Sequence, residues 1–243
     1  MDSRYFLSRR LHFYLFCLSY YVITLLFPKI RVIIKERSKA MENTPFLRIF
    51  TAKIPQFQEE TPVYPPSRQA EIDGVKSQKT RIEKYGVWKL LQYAVQSTFS
   101  RPFTDFVFTK TETGKWTCKD FYLSLSHSKA ALAVALSSAP VGVDIQKDEP
   151  LSDIKIAKKM LTDDEFILFQ NLPEKQMNAY LVGTWAKKEA AFKRGDRKMF
   201  IPQKIELTKE ESLATTTIED ENYFLAISSN LLSVLTLQEN VLL

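Results

Sequence analysis

Cysteine is nearly absent from this chain: Cys17 and Cys118 are the only two among 243 residues. Two thiols make neither a disulfide framework nor a zinc-type ligand pattern, and the scarcity suits a reducing compartment. Histidine is as rare, with a single copy, His127, beyond the first forty positions. No G-x-S-x-G elbow occurs, and neighbouring Ser and His side chains on an extended strand diverge, so a Ser–His–acid hydrolase finds little support. No small-residue cleavage motif accompanies the one long apolar run, which argues against an exported, processed precursor. There is no residue-level repeat.

That apolar run is Leu11 to Phe27, 17 positions without Asp, Glu, Lys or Arg. At about 1.5 Å per residue it just crosses a hydrocarbon core of about 30 Å if its flanks snorkel. Arg4, Arg9 and Arg10 precede it; Lys29, Arg31, Lys35, Arg37 and Lys39 follow. Two readings stand. Either the run is a membrane anchor whose more basic C-terminal flank keeps the remainder on the cytoplasmic side, or Met41 is the true start and residues 1–40 are upstream sequence. Residues 1–40 hold eight Lys/Arg against two Asp/Glu, the whole net charge of +6. Residues 41–243 are therefore charge-balanced and give no footprint for a nucleic-acid partner.

What remains is long enough for one large domain or two small ones. Residues 45–52 read as an opening strand, and the prolines at 62, 65 and 66 as a loop. Residues 68–98 carry a helical pattern through Tyr85, Trp88, Leu91 and Val95. Residues 103–110 alternate like a strand, and Thr113-Gly114-Lys115 is a turn. Residues 121–125 form a strand that ends at Ser126-His127-Ser128. Ala130–Leu136 and Val141–Gln146, joined by Ser137-Ser138-Ala139-Pro140, predict a β-hairpin. Helices follow at 153–160, after the capping-box pattern of Thr162 to Glu165, and at about 174–194. Strands are expected at 204–208, 213–219, 223–229 and 233–237. The class is α+β, in two similar lobes of residues 41–140 and 141–243 behind the 1–40 segment.

Two stretches carry chemistry. In Val141–Gln146 the side chains alternate, so Asp144 and Gln146 share a face and offer a carboxylate and an amide oxygen. In Trp185–Lys193, Glu189 and Lys193 sit at i and i+4 on one helix face, one turn after Trp185. Two oxygen-ligand sources and a cation suit a magnesium-assisted reaction on a phosphate-bearing substrate. Ser126, His127 and Ser128 add hydroxyls and an imidazole that suit phosphate contacts. Taken singly, each stretch is also an ordinary solvated strand face or a surface ion pair.

The order Gly114-Lys115, Ser126-His127-Ser128, Gly142-Val143-Asp144-Ile145-Gln146 and Trp185-x-x-Lys188-Glu189-Ala190-x-x-Lys193 resembles the 4′-phosphopantetheinyl transferases, in particular the two-lobed, surfactin-type branch. The resemblance spans roughly residues 45–230. It implies a pseudo-dimer of two α+β lobes that moves the phosphopantetheine arm of coenzyme A onto a serine of an apo carrier protein, releasing adenosine 3′,5′-bisphosphate. On it, Asp144, Gln146 and Glu189 are metal ligands for Mg2+ or Mn2+, and Glu189 is also the base for the carrier serine. Lys193 steadies the pyrophosphate, and Lys188, which matches a motif lysine, joins it among the residues that bind coenzyme A. Ser126, His127 and Lys115 contact coenzyme A phosphates, with Arg68 and Lys84 at the nucleotide end. Gln146 departs from the glutamate frequent at its position, which removes one negative charge.

The implied partners are coenzyme A and an acidic acyl or peptidyl carrier protein, met by a cytoplasmic monomer that touches a membrane only if residues 1–40 belong to it. The basic segment 187–198 is a candidate for steering that partner. Two alternatives stay open: another magnesium-dependent nucleotide phosphodiesterase, and a membrane-tethered, non-catalytic binding protein.

Overall fold

The first strand already shows how the layers arise. In the computed structural model, which describes residues 44–54, 64–150 and 155–243, strand β1 covers Leu47–Lys53. Leu47 and Ile49 point into one apolar cluster, while Phe50 and Ala52 point into another. Strand β5 (Ala131–Ser137) divides in the same way: Ala131, Ala133 and Ala135 face one side, Leu132, Val134 and Leu136 the other. A sheet buried on both faces reads as a continuous apolar run, and Ala131 to Leu136 is one.

Helices α1 (Pro66–Asp73) and α2 (Gln78–Phe99) precede the central strands. The single pattern expected over 68–98 is therefore two helices. Ser77 separates them: its hydroxyl accepts from the Thr80 amide at 3.3 Å and caps α2. The inner side of α2, with Trp88, Leu91 and Val95, packs with Leu132, Val134 and Leu136. A short hairpin of β2 (Phe108–Lys110) and β3 (Trp116–Cys118) closes this core. Gly114 turns it at φ 84°, a conformation that favours glycine. The strand expected over 103–110 shortens to β2. Phe103 and Phe106 both enter the core three residues apart, which suits the 3₁₀ turn at Phe103–Asp105 and not a strand.

Strand β4 (Tyr122–Ser128) is the edge of the first sheet, whose order is β4, β5, β1 and then β9 (Leu235–Val241). β9 runs parallel to β1, so the chain's last strand returns to the first sheet. The second sheet has β6 (Gly142–Lys147) at one edge, β8 (Glu221–Ser228) in the middle and β7 (Glu211–Ile218) outside. Val143, Ile145, Leu225 and Ile227 turn toward the alanine face of the first sheet. Helix α5 (Glu174–Arg194) covers the opposite face, where Ala186 and Ala190 meet Ala226. Helices α3 (Lys155–Met160) and α4 (Asp163–Gln170) pack beside α5 through Phe169 and Leu181, and α4 opens with the expected capping box. The observed class is α+β.

Three further expectations are corrected. The mid-chain hairpin does not form: β5 already has β4 and β1 as neighbours, so it has no free edge, and β6 pairs with β8 in the other sheet. Residues 204–208 alternate in burial, with Ile205 inside, yet among the described residues no strand pairs with them. The last strand begins after a 3₁₀ turn at Leu232–Val234 and extends to Val241. Among the described residues no helix is long and apolar enough to cross a membrane. The Leu11–Phe27 run lies outside them.

Candidate active site

The site forms where the edges of the two sheets meet. Strands β4 and β6 lie side by side, joined by serine hydroxyls in place of a backbone ladder. Ser124, Ser126 and Ser128 accept from the amides of Val143, Ile145 and Lys147 at 3.0, 3.3 and 3.3 Å. The S-x-S-x-S period of two puts all three hydroxyls on one side of β4. The same alternation on β6 puts Gly142, Asp144 and Gln146 on the side that faces α5.

Gly142 decides how close that helix comes. A Cβ there would lie 1.8 Å from the Ala190 carbonyl oxygen and 2.7 Å from the Arg194 amide nitrogen. With no side chain at Gly142 and only methyl groups at Ala186 and Ala190, α5 settles directly on β6. Its next positions, Glu189 and Lys193, then lie over Asp144. The two stretches that carry the motifs thus converge on one point.

Asp144 is 1% exposed and fully engaged. Its Oδ1 accepts from Ser126 Oγ at 2.7 Å and from Lys193 Nζ at 2.6 Å, and its Oδ2 accepts from Gln146 Nε2 at 3.0 Å. Lys193 also reaches Glu189 Oε2 at 3.5 Å, so one ammonium bridges two carboxylates. Burial, reinforced by the charge of Asp144, pushes the Glu189 carboxyl up to about 7 against the opposing pull of Lys193. Such a value suits a group that exchanges a proton near neutral pH.

The donor set fits an oxygen-seeking divalent cation. Two crowded carboxylates already hold a cationic group between them and still leave one carboxyl raised. Among the described residues no three His, Cys, Asp or Glu side chains cluster. A cation here would therefore draw on Asp144 and Glu189 and complete its shell with substrate oxygens and water, a habit typical of magnesium. Gln146 presents its amide N–H to Asp144 and its Oε1 to Ser128 Oγ at 3.5 Å.

His127 sits on the opposite side of β4 from the serines. Its Nδ1 is 3.7 Å from Glu83 Oε2. Burial lowers its pKa; Lys193, Lys84 and Arg68 push the same way, and Glu83 opposes them. Lys84 and Lys110 pair with Glu71, whose carboxyl burial alone would raise; hydrogen bonds from both lysines and the Arg68 charge hold it down at about 2. Lys115 lines a cavity of about 240 Å3 together with Trp116, Leu125, Phe192 and Lys193. Burial lowers the Lys115 pKa as well. Lys115 and Lys193 thus line one pocket, and Lys193 also contacts the two carboxylates.

Three residues do not sit as the resemblance implies. Lys188 is a correction: it is fully buried, paired with Glu165 Oε2 at 2.6 Å, and turned away from the pocket. Arg68, 3% exposed, is likewise inside its lobe; it pairs with Glu71, donates to the Lys84 carbonyl at 2.6 Å and lies over the rings of Trp88 and Trp116. Ser126 gives its hydroxyl to Asp144, so its role is to hold that carboxylate. Trp185 packs its ring on Phe200. Sequence reading did not single out Ser124, Glu71, Glu83 or Lys110. Only the serine period was visible in advance; the other three act through contacts distant in sequence.

Part of the chain is similar in sequence to known proteins. The sequence model described as the 4′-phosphopantetheinyl transferase superfamily matches residues 140–236. The chain is 29% identical over 107 residues to the 4′-phosphopantetheinyl transferase psf-1 of Bacillus pumilus, covering 43% of this chain and 46% of that protein. It is 30% identical over 112 residues to the 4′-phosphopantetheinyl transferase gsp of Aneurinibacillus migulanus, covering 46% of each. With the 4′-phosphopantetheinyl transferase Sfp of Bacillus subtilis (strain 168) it shares 28% over 115 residues, 44% of this chain and 51% of the relative. The chain spans about half the length of the curated relatives it matches. The matched region carries both Asp144 and Glu189, and over that region the chain is similar to the 4′-phosphopantetheinyl transferase superfamily.

Proposed function

We propose that this protein transfers the 4′-phosphopantetheine arm of coenzyme A to a serine hydroxyl of an apo carrier protein. The observation that carries the reading is the convergence of Asp144, Glu189 and Lys193, from a strand and a helix about forty residues apart, beside a pocket that Lys115 also lines. In the reaction a serine oxygen–phosphorus bond forms and the phosphorus–oxygen bond to the adenosine bisphosphate breaks. The serine proton passes to the Glu189 carboxylate, whose raised pKa makes it an acceptor near neutral pH. Lys193 places a positive charge at the pyrophosphate, and Lys115 and His127 contact the remaining phosphates. Asp144 and Glu189 would hold a divalent cation, which when bound neutralises charge on the pyrophosphate and its leaving group. Much of the rate comes from holding two large substrates in register.

The partner is an acidic carrier, steered by Lys187, Arg197 and Lys198 around the end of α5, and the protein acts on it as a monomer in a reducing compartment such as the cytoplasm. Intact-mass spectrometry on a panel of apo carriers, each incubated with the protein, coenzyme A and magnesium, tests the proposal. A gain of one phosphopantetheine arm is expected on at least one acidic carrier. Hydrolysis of coenzyme A with every carrier unchanged would show a nucleotide phosphodiesterase instead.

Gln146 offers a separate test of the cation site. Gln146→Glu places a third carboxylate beside Asp144, and titration calorimetry should then show tighter divalent-cation binding than in the parent. An unchanged affinity would mean that position 146 does not face the cation.

A further inference from the structure

Lys188 immediately precedes Glu189 on α5 yet reaches neither the pocket nor solvent. Its ammonium has three N–H groups, and three acceptors surround it: Glu165 Oε2 at 2.6 Å, the Met160 carbonyl at 3.1 Å and the Pro202 carbonyl at 2.9 Å. Those acceptors belong to three different segments, namely the first turn of α4, the end of α3 and the 3₁₀ turn at Pro202–Lys204. A lysine so saturated has no donor left for a phosphate. The Glu165 oxygen that it meets also accepts the Thr162 amide at 2.9 Å, so the capping box of α4 and the Lys188 ion pair share one carboxylate. A second attachment lies alongside: Phe200 packs its ring on Trp185 and Phe192, with both centroids 5.3 Å away.

From this arrangement we infer that Lys188 is a positioning residue, which fixes the rotation and depth of α5 and so sets Glu189 and Lys193 over Asp144. The inference rests on the proposed transfer for its kinetic consequences, but the anchor itself does not. Helix α5 is gripped between two unlike surfaces. On the sheet side, Gly142, Ala186, Ala190 and Ala226 give close contact through backbone and methyl groups, and the directional bonds, Lys193 to Asp144 and Arg194 to Glu210, gather at the C-terminal end of the helix. On the other side, Lys188 supplies three directional bonds more than one turn earlier. Buried ion pairs contribute little net stability, and in some proteins they specify one arrangement among similar ones, which is the role assigned here.

The test has three parts. Acetylation of the lysines in the intact wild-type chain, followed by peptide mapping, should leave Lys188 protected while Lys187 reacts; labelling of Lys188 as fast as Lys187 would overturn the anchor. This part needs neither a variant nor an activity. Lys188→Met leaves the Glu165 carboxylate without its cation, so it should lower the unfolding midpoint more than Lys188→Met combined with Glu165→Gln does; equal losses would also overturn the anchor. Below its unfolding midpoint, the double variant should bind coenzyme A within about threefold of wild type while kcat for carrier modification falls roughly tenfold or more, because a small displacement of the reacting groups is costly. Lost coenzyme A affinity with unchanged kcat would make Lys188 a ligand residue. A wild-type chain that modifies no carrier would refute the transferase reading and leave the labelling and stability results to decide the anchor.

Discussion

On the proposed transfer, Glu189→Gln should lower the rate of carrier modification by about 10²- to 10⁴-fold and at the same time stabilise the folded protein at alkaline pH. The first effect follows from removing the proton acceptor while keeping its shape, and general-base contributions commonly have that size. The second follows from the same burial. In the folded chain the Glu189 carboxyl is pushed up from 4.5 to about 7, first by burial and then by the charge of Asp144. The native state therefore binds this proton more tightly than the unfolded state does. Its favourable contribution is fully present below the unfolded value and fades as pH rises through the folded one. Above pH 7 the ionised group burdens the native state. The full shift corresponds to about 3 kcal/mol. The nearby Lys193, and a side chain still 24% exposed, reduce the expected gain to roughly 1–2 kcal/mol at pH 8. Urea unfolding of both proteins at pH 8 and pH 4 checks this: the variant should be the more stable at pH 8, with no advantage at pH 4. A variant less stable at pH 8 would show that Glu189 is a structural residue.

Gly142→Ala should disable the protein from a position that touches no substrate. The added Cβ would meet the carbonyl oxygen of Ala190 at 1.8 Å and the Ala190 carbonyl carbon at 2.8 Å. Both are helix backbone, so no side chain can swing aside. The helix must lift from β6, which opens the Ala186, Ala190 and Ala226 contact and withdraws Glu189 and Lys193 from Asp144. Overpacking a well-filled interior costs about 1–3 kcal/mol, and this backbone clash belongs at or above the upper end. Carrier modification should fall by about 100-fold in molecules that remain folded. Urea unfolding and transfer kinetics both read the effect. Parent-like stability and rate in Gly142→Ala would refute the close approach on which the site depends.

The local parts of the fold could be read in advance. Helix α5 begins at Glu174 and ends at Arg194 as expected, because its pattern lies between Pro173 and Gly195. The capping box at Thr162 and the turn at Gly114 follow from residue types that few other conformations accept. Asp144 and Glu189 meet because alternation on a strand and i, i+4 spacing on a helix fix which side chains share a face. Pairing partners were less legible. Nothing in Ala131–Ser137 says that β4 and β1 will occupy both its edges, nor that Leu235–Val241 will cross back to lie beside β1. Lys188 shows the same limit at one residue. The helical period places Lys187 and Lys188 about 100° apart, but the choice of which turns inward depends on Glu165, Met160 and Pro202, none of them on α5.

Product stoichiometry tests the central claim most directly. With wild-type protein, coenzyme A, magnesium and an apo carrier, each equivalent of adenosine 3′,5′-bisphosphate released should be matched by one phosphopantetheine arm found by mass spectrometry on a carrier serine. Without carrier, no bisphosphate should appear. Release of the bisphosphate at an equal rate whether or not carrier is present would contradict the account.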